Sequence, residues 1–194
     1  MSGMNVLDAI RARRSIGRLV EPAPSPDELR LMLEAAACAP DHGELRPWKF
    51  VVLGGQAKDD FGQVLLDAYL ARCEEAGVEP TEGQRTKERT KLGRAPMVIV
   101  AAAVRRESDK IPWEEQQASA AAAVQNLCLA AVELGYATMW RTGDPAYDAR
   151  VKVALGLREA DAVMGFVYVG TPSEGGEKPP KEPSLDGVVE HWRP

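Results

Sequence analysis

Met97-Val-Ile-Val-Ala-Ala-Ala-Val104, entered through Pro96, is the stretch on which the fold turns. The run is apolar at every position and too short for a membrane-spanning helix, which needs about 20 residues. A strand buried on both faces fits it, so the chain needs a central sheet with cover on each side. Downstream, Glu114–Leu134 reads as a long alanine-rich helix ending at Gly135. Being small on nearly every side, it is a candidate for the centre of a dimer. Ala137–Arg141 reads as a strand, Ala146–Leu155 as a short helix capped by Gly156, and Ala162–Val169 as the last strand, followed by Gly170-Thr171-Pro172. Upstream, Lys49–Leu53 is a strand closed by Gly54-Gly55, and Ala57–Glu75 a helix with Phe61, Val64, Leu65 and Ala68 on one face. The second helix has the sharpest start: Ser25 caps it, Pro26 opens it, Glu28 completes a capping box, and Pro40 stops it. Its buried face is Leu29, Met32, Leu33 and Ala36. Asn5–Arg13 is a first helix capped by Asn5, with Leu7 and Ile10 sharing a face. Helices between four strands of mixed character mean α+β or α/β around one sheet.

The chain has 194 residues, enough for one domain with a real core. Hydrophobic residues at 45% and charged residues at 27% are near globular averages, which excludes bulk disorder. A net charge of -5 argues against broad binding to nucleic acid or an anionic membrane. Cys38, Cys73 and Cys128 form no CxxC pair and read as small core residues in a reducing cytoplasm. The N-terminus lacks a basic region followed by an apolar run, so no signal peptide is expected. Glu79–Arg94 is charged and nearly free of large apolar residues; a solvated helix and a mobile flap both fit it. The tail from Ser173 is polar and proline-rich, with Lys178 and Lys181 most simply solvated. An exposed Trp192 would be wasteful, so the tail is expected to lie along a surface, of this subunit or of a partner.

Several motifs are missing. No GxGxxG, HExxH or GxSxG occurs, and Gly176 stands where a P-loop after Gly170 would need lysine. With two histidines in the chain, histidine-based metal chemistry has little to work with, and no metal site is expected. Chemistry, if any, belongs to a bound organic cofactor.

Three short motifs are present. Arg13-Arg14-Ser15 offers two guanidinium forks and a hydroxyl to a phosphate; the alternative is ordinary compensation of a helix C-terminus. His42 and Trp48 bracket a tight loop that could line a flat aromatic ligand, or be a structural loop with a core tryptophan. Trp140-Arg141-Thr142-Gly143 ends a strand, where ligands gather in open sheets; a strand-end salt bridge is the alternative for Arg141. Trp113-Glu114 is read as helix capping.

Taken in order, Arg13-Arg14-Ser15, Glu21-Pro-Ala-Pro24, Ala39-Pro40-Asp41-His42 before Pro47-Trp48, Trp140-Arg141-Thr142-Gly143, and Gly165-Phe166 before Gly170-Thr171-Pro172 resemble the nitroreductase family of flavoproteins. Within it, the chain is most similar to a compact subgroup of NAD(P)H nitroreductases. The similarity runs from about Val6 to Pro172. It implies an α+β fold, a central mostly antiparallel sheet flanked by helices, in an intertwined homodimer. Residues 1–172 would form the FMN-binding domain and 173–194 a C-terminal extension.

The resemblance also implies the site. Arg13, Arg14 and Ser15 would hold the phosphate and ribityl side of FMN. His42 would reach the flavin from the other subunit, and Trp140, Arg141 and Thr142 would contact it, Thr142 keeping the hydroxyl of the family's serine. Nicotinamide contacts would fall near Ala130–Gly135. Cys38 stands where the subgroup can have arginine. Larger members use a basic tail residue for the phosphate, and this tail offers Lys178 and Lys181 without a clear match. No protein group would be catalytic in itself. NAD(P)H would deliver hydride to flavin N5 and leave, and a nitroaromatic, quinone or related acceptor would then be reduced, in a ping-pong scheme. Alternatives on the same fold are a dehalogenase-type flavoenzyme or a flavin store or sensor. A plain interaction domain, with Arg13-Arg14 as surface charge, is the alternative outside it.

Overall fold

β3 (Met97–Ala103) lies in the interior of a five-stranded sheet. The computed structural model describes residues 4–193. On one edge β3 pairs with β2 (Trp48–Gly54), from Trp48 opposite Ala103 to Gly54 opposite Met97. On the other edge it pairs with β5 (Ala162–Pro172), with a register shift between Ala101 and Ala102. β4 (Ala137–Arg141) lies on β5, and β1 (Leu19–Val20) pairs with the end of β5. Every ladder is antiparallel. β1 is a fifth strand beyond the four expected; two residues give no period to read.

Alternate residues of β3 enter different cores, which is why the whole run is apolar. Ile99 and Ala101 face α2 (Pro26–Ala37) and α5 (Trp113–Glu133), packing with Met32, Val124 and Leu127. Val98 and Val100 face the other side, with Leu65 of α3 (Gly55–Glu75) and Phe166. The result is helix, sheet and helix in three layers, an α+β arrangement.

The expected caps of α1 (Val6–Ala12) and α2 form: Asn5 accepts from the Asp8 N–H, and Ser25 and Glu28 make a full capping box. In α1, however, Ala9 is the buried residue, while Val6, Leu7 and Ile10 face outward. Cys38 also departs from its core reading. It sits at the C-terminal end of α2 and is exposed, whereas Cys73 and Cys128 are buried.

The charged 79–94 segment is a solvated helix rather than a flap. α4 (Glu82–Thr90) opens with a Thr81–Gln84 capping box, and a 3-10 turn follows at Lys91–Arg94. α4 buries no side chain fully, so its position depends on close backbone approach to α3. Gly62 makes that possible: a Cβ there would lie 2.3 Å from the Arg89 carbonyl oxygen. The expected Ala146–Leu155 helix is divided into α6 (Asp144–Tyr147) and α7 (Ala149–Ala154). Buried Asp148 causes the division. Its carboxylate caps α7 through the Arg150 N–H and pairs with Arg72 of α3.

Beyond Pro172 the described tail runs back along the start of the chain. Trp192 stays 84% exposed, so nothing among the described residues covers it. Among the described residues, no helix is long and apolar enough to cross a membrane.

Candidate functional site

β4 aligns two of the three predicted motifs. Ser15 forms a parallel bridge with Thr138, and the Ile16 N–H donates to the Thr138 carbonyl at 3.1 Å. The Arg13–Ser15 segment therefore runs beside the strand that ends in Trp140-Arg141. Three residues of extended chain separate Thr138 from Arg141, about 10 Å.

The side chains of β4 divide by strand alternation. Thr138 is buried near Cys128 of α5. Burial pushes the Cys128 thiol up, opposed by a hydrogen bond with Thr138 and by the charge of Arg13. α1, whose C-cap is Arg13, packs against α5. Trp140 lies on the strand edge, its Nε1–H donating to the Met164 carbonyl at 2.8 Å. Gly165 is what allows this. At φ 145° its Cβ would fall 2.3 Å from the indole nitrogen of Trp140 and 2.7 Å from the Arg141 carbonyl. Arg141 pairs in register with Phe166 and turns to the α3 side.

There Arg141 and Thr142 line a cavity of about 310 Å³ with Phe166, Tyr168, Lys87 and Arg94. Lys91, on the same wall, is paired with Glu88. Among the described residues, Lys87, Arg94 and Arg141 have no ion-pair partner. Burial raises the Tyr168 phenol, and the positive charges of Arg141 and Arg94 oppose that rise. The cavity thus joins three aromatic rings, Tyr69, Phe166 and Tyr168, to unpaired cations. That chemistry suits a flat, partly apolar ligand carrying carbonyl or phosphate oxygens.

His42 stands apart from this group. It opens a 3-10 turn at His42–Glu44, and its Nδ1 lies 2.8 Å from Oε2 of Glu115 in the first turn of α5. The loop carrying His42 is strained: Glu44 and Arg46 both have positive φ, at 52° and 48°. The Asp41 carboxylate holds it, accepting from the Arg46 N–H at 2.6 Å.

Lys87 and Arg94 had no assigned role from sequence, and Lys178 had no clear one. Lys87 and Arg94 were legible as charge, but their direction depends on how α4 seats on α3. Lys178, expected to be solvated, donates from Nζ to the Ser15 carbonyl at 2.7 Å.

The fold and the site define an α+β protein with a cationic, aromatic-walled cavity at the edge of an antiparallel sheet. The nitroreductase family model matches residues 10–171, and the chain belongs to that family. It is 38% identical over 169 residues to the Escherichia coli (strain K12) protein named "Putative NAD(P)H nitroreductase YdjA", covering 87% of this chain and 89% of that one. A solved nitroreductase-like family protein from Bacillus cereus superposes with a TM-score of 0.80 at 22% identity, over 100% of this chain and 99% of that chain. A variant of the FMN and NADPH-dependent nitroreductase NfnB, from Sphigopyxis sp. strain HMH, gives a TM-score of 0.72 at 21% identity, over 98% of this chain and 100% of that one.

Proposed function

We propose that the protein is an FMN-dependent NAD(P)H oxidoreductase that reduces nitroaromatics, quinones or related acceptors. The observation that carries this reading is the Ser15–Thr138 pairing. It sets the Arg13–Ser15 segment beside the strand whose end, about 10 Å further along, lines the aromatic, cationic cavity, which supports a ligand that reaches from one to the other. The residues fit the cofactor. Arg13, Arg14 and Ser15 lie at its phosphate end, with the Lys178 ammonium in reach of Ser15. Trp140, Arg141 and Thr142 lie at its ring end, with Phe166 and Tyr168 as apolar wall and Lys87 and Arg94 as donors to ring carbonyls. FMN, when bound, supplies two-electron redox chemistry between a nicotinamide donor and an acceptor. The protein binds the phosphate, orients the ring and holds positive charge where electron density rises, which favours the reduced form.

The curated relative's name and the NfnB structure support the donor and the cofactor. In this reading residues 1–172 are the cofactor-binding domain and 173–194 an extension. His42 serves the site of a second subunit, because in its own chain it pairs with Glu115 at the start of α5 and does not line the cavity. The outward Val6, Leu7 and Ile10 of α1 supply apolar surface for that association.

The test is a fluorescence titration of purified protein with FMN, followed by NADPH oxidation with a nitroaromatic. Saturable binding and acceptor-dependent NADPH consumption are expected. Protein that takes up no FMN would overturn the reading.

A further inference from the structure

The tail does more than follow the surface. β1 pairs antiparallel with the end of β5, Leu19 opposite Pro172. The same direction continues outside the sheet. The Ser173 N–H donates to the Arg18 carbonyl at 3.4 Å, and Lys178 Nζ to the Ser15 carbonyl at 2.7 Å. The Arg14 guanidinium donates to the Pro179 carbonyl, and the Lys181 N–H to the Arg11 carbonyl at 3.0 Å. Residues 173–181 therefore form a strap that runs antiparallel to residues 11–18.

Arg14 is the one side chain of the Arg13–Ser15 motif engaged by this strap. Pro179 and Pro180 have no N–H to offer, so the strap cannot fasten here by an ordinary ladder. A guanidinium from the facing segment replaces the missing backbone bond. Of the two adjacent arginines, Arg14 holds Pro179, while the Arg13 guanidinium has no ion-pair partner among the described residues.

We propose that Arg14 is a positioning residue that fastens the 173–181 strap across the anion-binding segment, while Arg13 meets the ligand directly. This rests on the FMN reading for the identity of the ligand, but not for the strap itself. The strap keeps Lys178 beside Ser15, at the phosphate end of the site.

The test uses the full chain and the variants Arg14→Ala, Lys181→Pro and the double variant. Lys181→Pro removes the N–H bonded to Arg11 without touching the motif. Hydrogen exchange across residues 177–184, without FMN, reads the strap; FMN fluorescence titration reads the site. Arg14→Ala should speed exchange in the strap and weaken FMN by about tenfold, the scale of one charge-assisted hydrogen bond. Lys181→Pro should weaken FMN similarly, and the double variant no more than the worse single one. Two results overturn the proposal: Arg14→Ala leaving strap exchange unchanged, or the two losses of affinity multiplying. A parent protein that binds no FMN would sink the cofactor reading, while strap exchange in Arg14→Ala would still decide the role of Arg14.

Discussion

Ser15 and Thr138 lie side by side in parallel, fastened by the Ile16 N–H on the Thr138 carbonyl at 3.1 Å. The pairing couples the end of the first helix to the strand that ends in Arg141. It brings two short motifs, far apart in sequence, to neighbouring positions along one strand.

At the phosphate end, Arg13→Ala should raise the FMN dissociation constant by about tenfold, since a charge-assisted contact is lost. The thermal midpoint should hardly move, because the side chain lies at a helix end outside the hydrophobic core. Fluorescence titration and a melting curve check both. Unchanged FMN affinity would remove Arg13 from the site.

In the cavity proposed for the flavin ring, Lys87→Ala and Arg94→Ala should each raise the FMN dissociation constant severalfold at nearly unchanged stability. Both cations face the cavity, and neither has an ion-pair partner among the described residues. Fluorescence titration is the measurement. FMN affinity equal to that of the parent protein in both variants would leave the α4 wall without a role in binding.

Gly165→Ala should destabilise the protein by about 2 kcal/mol or more, from backbone strain and displacement of Trp140. The Cβ would fall 2.3 Å from the indole nitrogen. Urea unfolding followed by tryptophan fluorescence reads the loss, and a variant as stable as the parent would contradict the packing.

Acid should loosen the α6–α7 junction through Asp148. Burial works to raise its carboxyl, but the Arg72 hydrogen bond, the Arg150 N–H and the two guanidinium charges hold it below the usual 3.8. A carboxyl lowered on folding stabilises fully above its unfolded pKa, and that contribution is lost as pH falls through the folded value. Asp148→Asn should therefore be less stable than the parent at pH 7. The gap should close as pH falls from about 5 to 2. Parallel stability curves across that range would show that the ion pair contributes nothing.

If the site spans two chains, Leu7→Asp on the exposed face of α1 should shift the protein toward monomer and release flavin together. Light scattering with flavin fluorescence follows both. A monomer that keeps FMN tightly would place the whole site in one chain.

Much of this was legible in the sequence where a local rule is strong. The Ser25–Glu28 capping box, the Asn5 cap and the doubly buried Met97–Ala103 strand depend on neighbours a few residues away, and all three form. Elements set by distant contacts were harder to read. Asp148 divides a helix because Arg72, on another helix, draws its carboxylate inward. The charged 79–94 segment is a fixed helix because Gly62 lets its backbone come close. Cys38 looked like core by residue type but falls at a helix end facing out. Within the site, the motifs were readable as binding groups. That Arg14 faces a proline carbonyl of the tail follows from tertiary structure alone.

The most direct measurement is an anaerobic visible absorption spectrum of the purified protein, before and after NADPH. The account predicts flavin absorbance that bleaches on addition and returns with a nitroaromatic or quinone. Flavin that stays oxidised would remove the proposed donor. Colourless protein that takes up no added FMN would contradict the central claim.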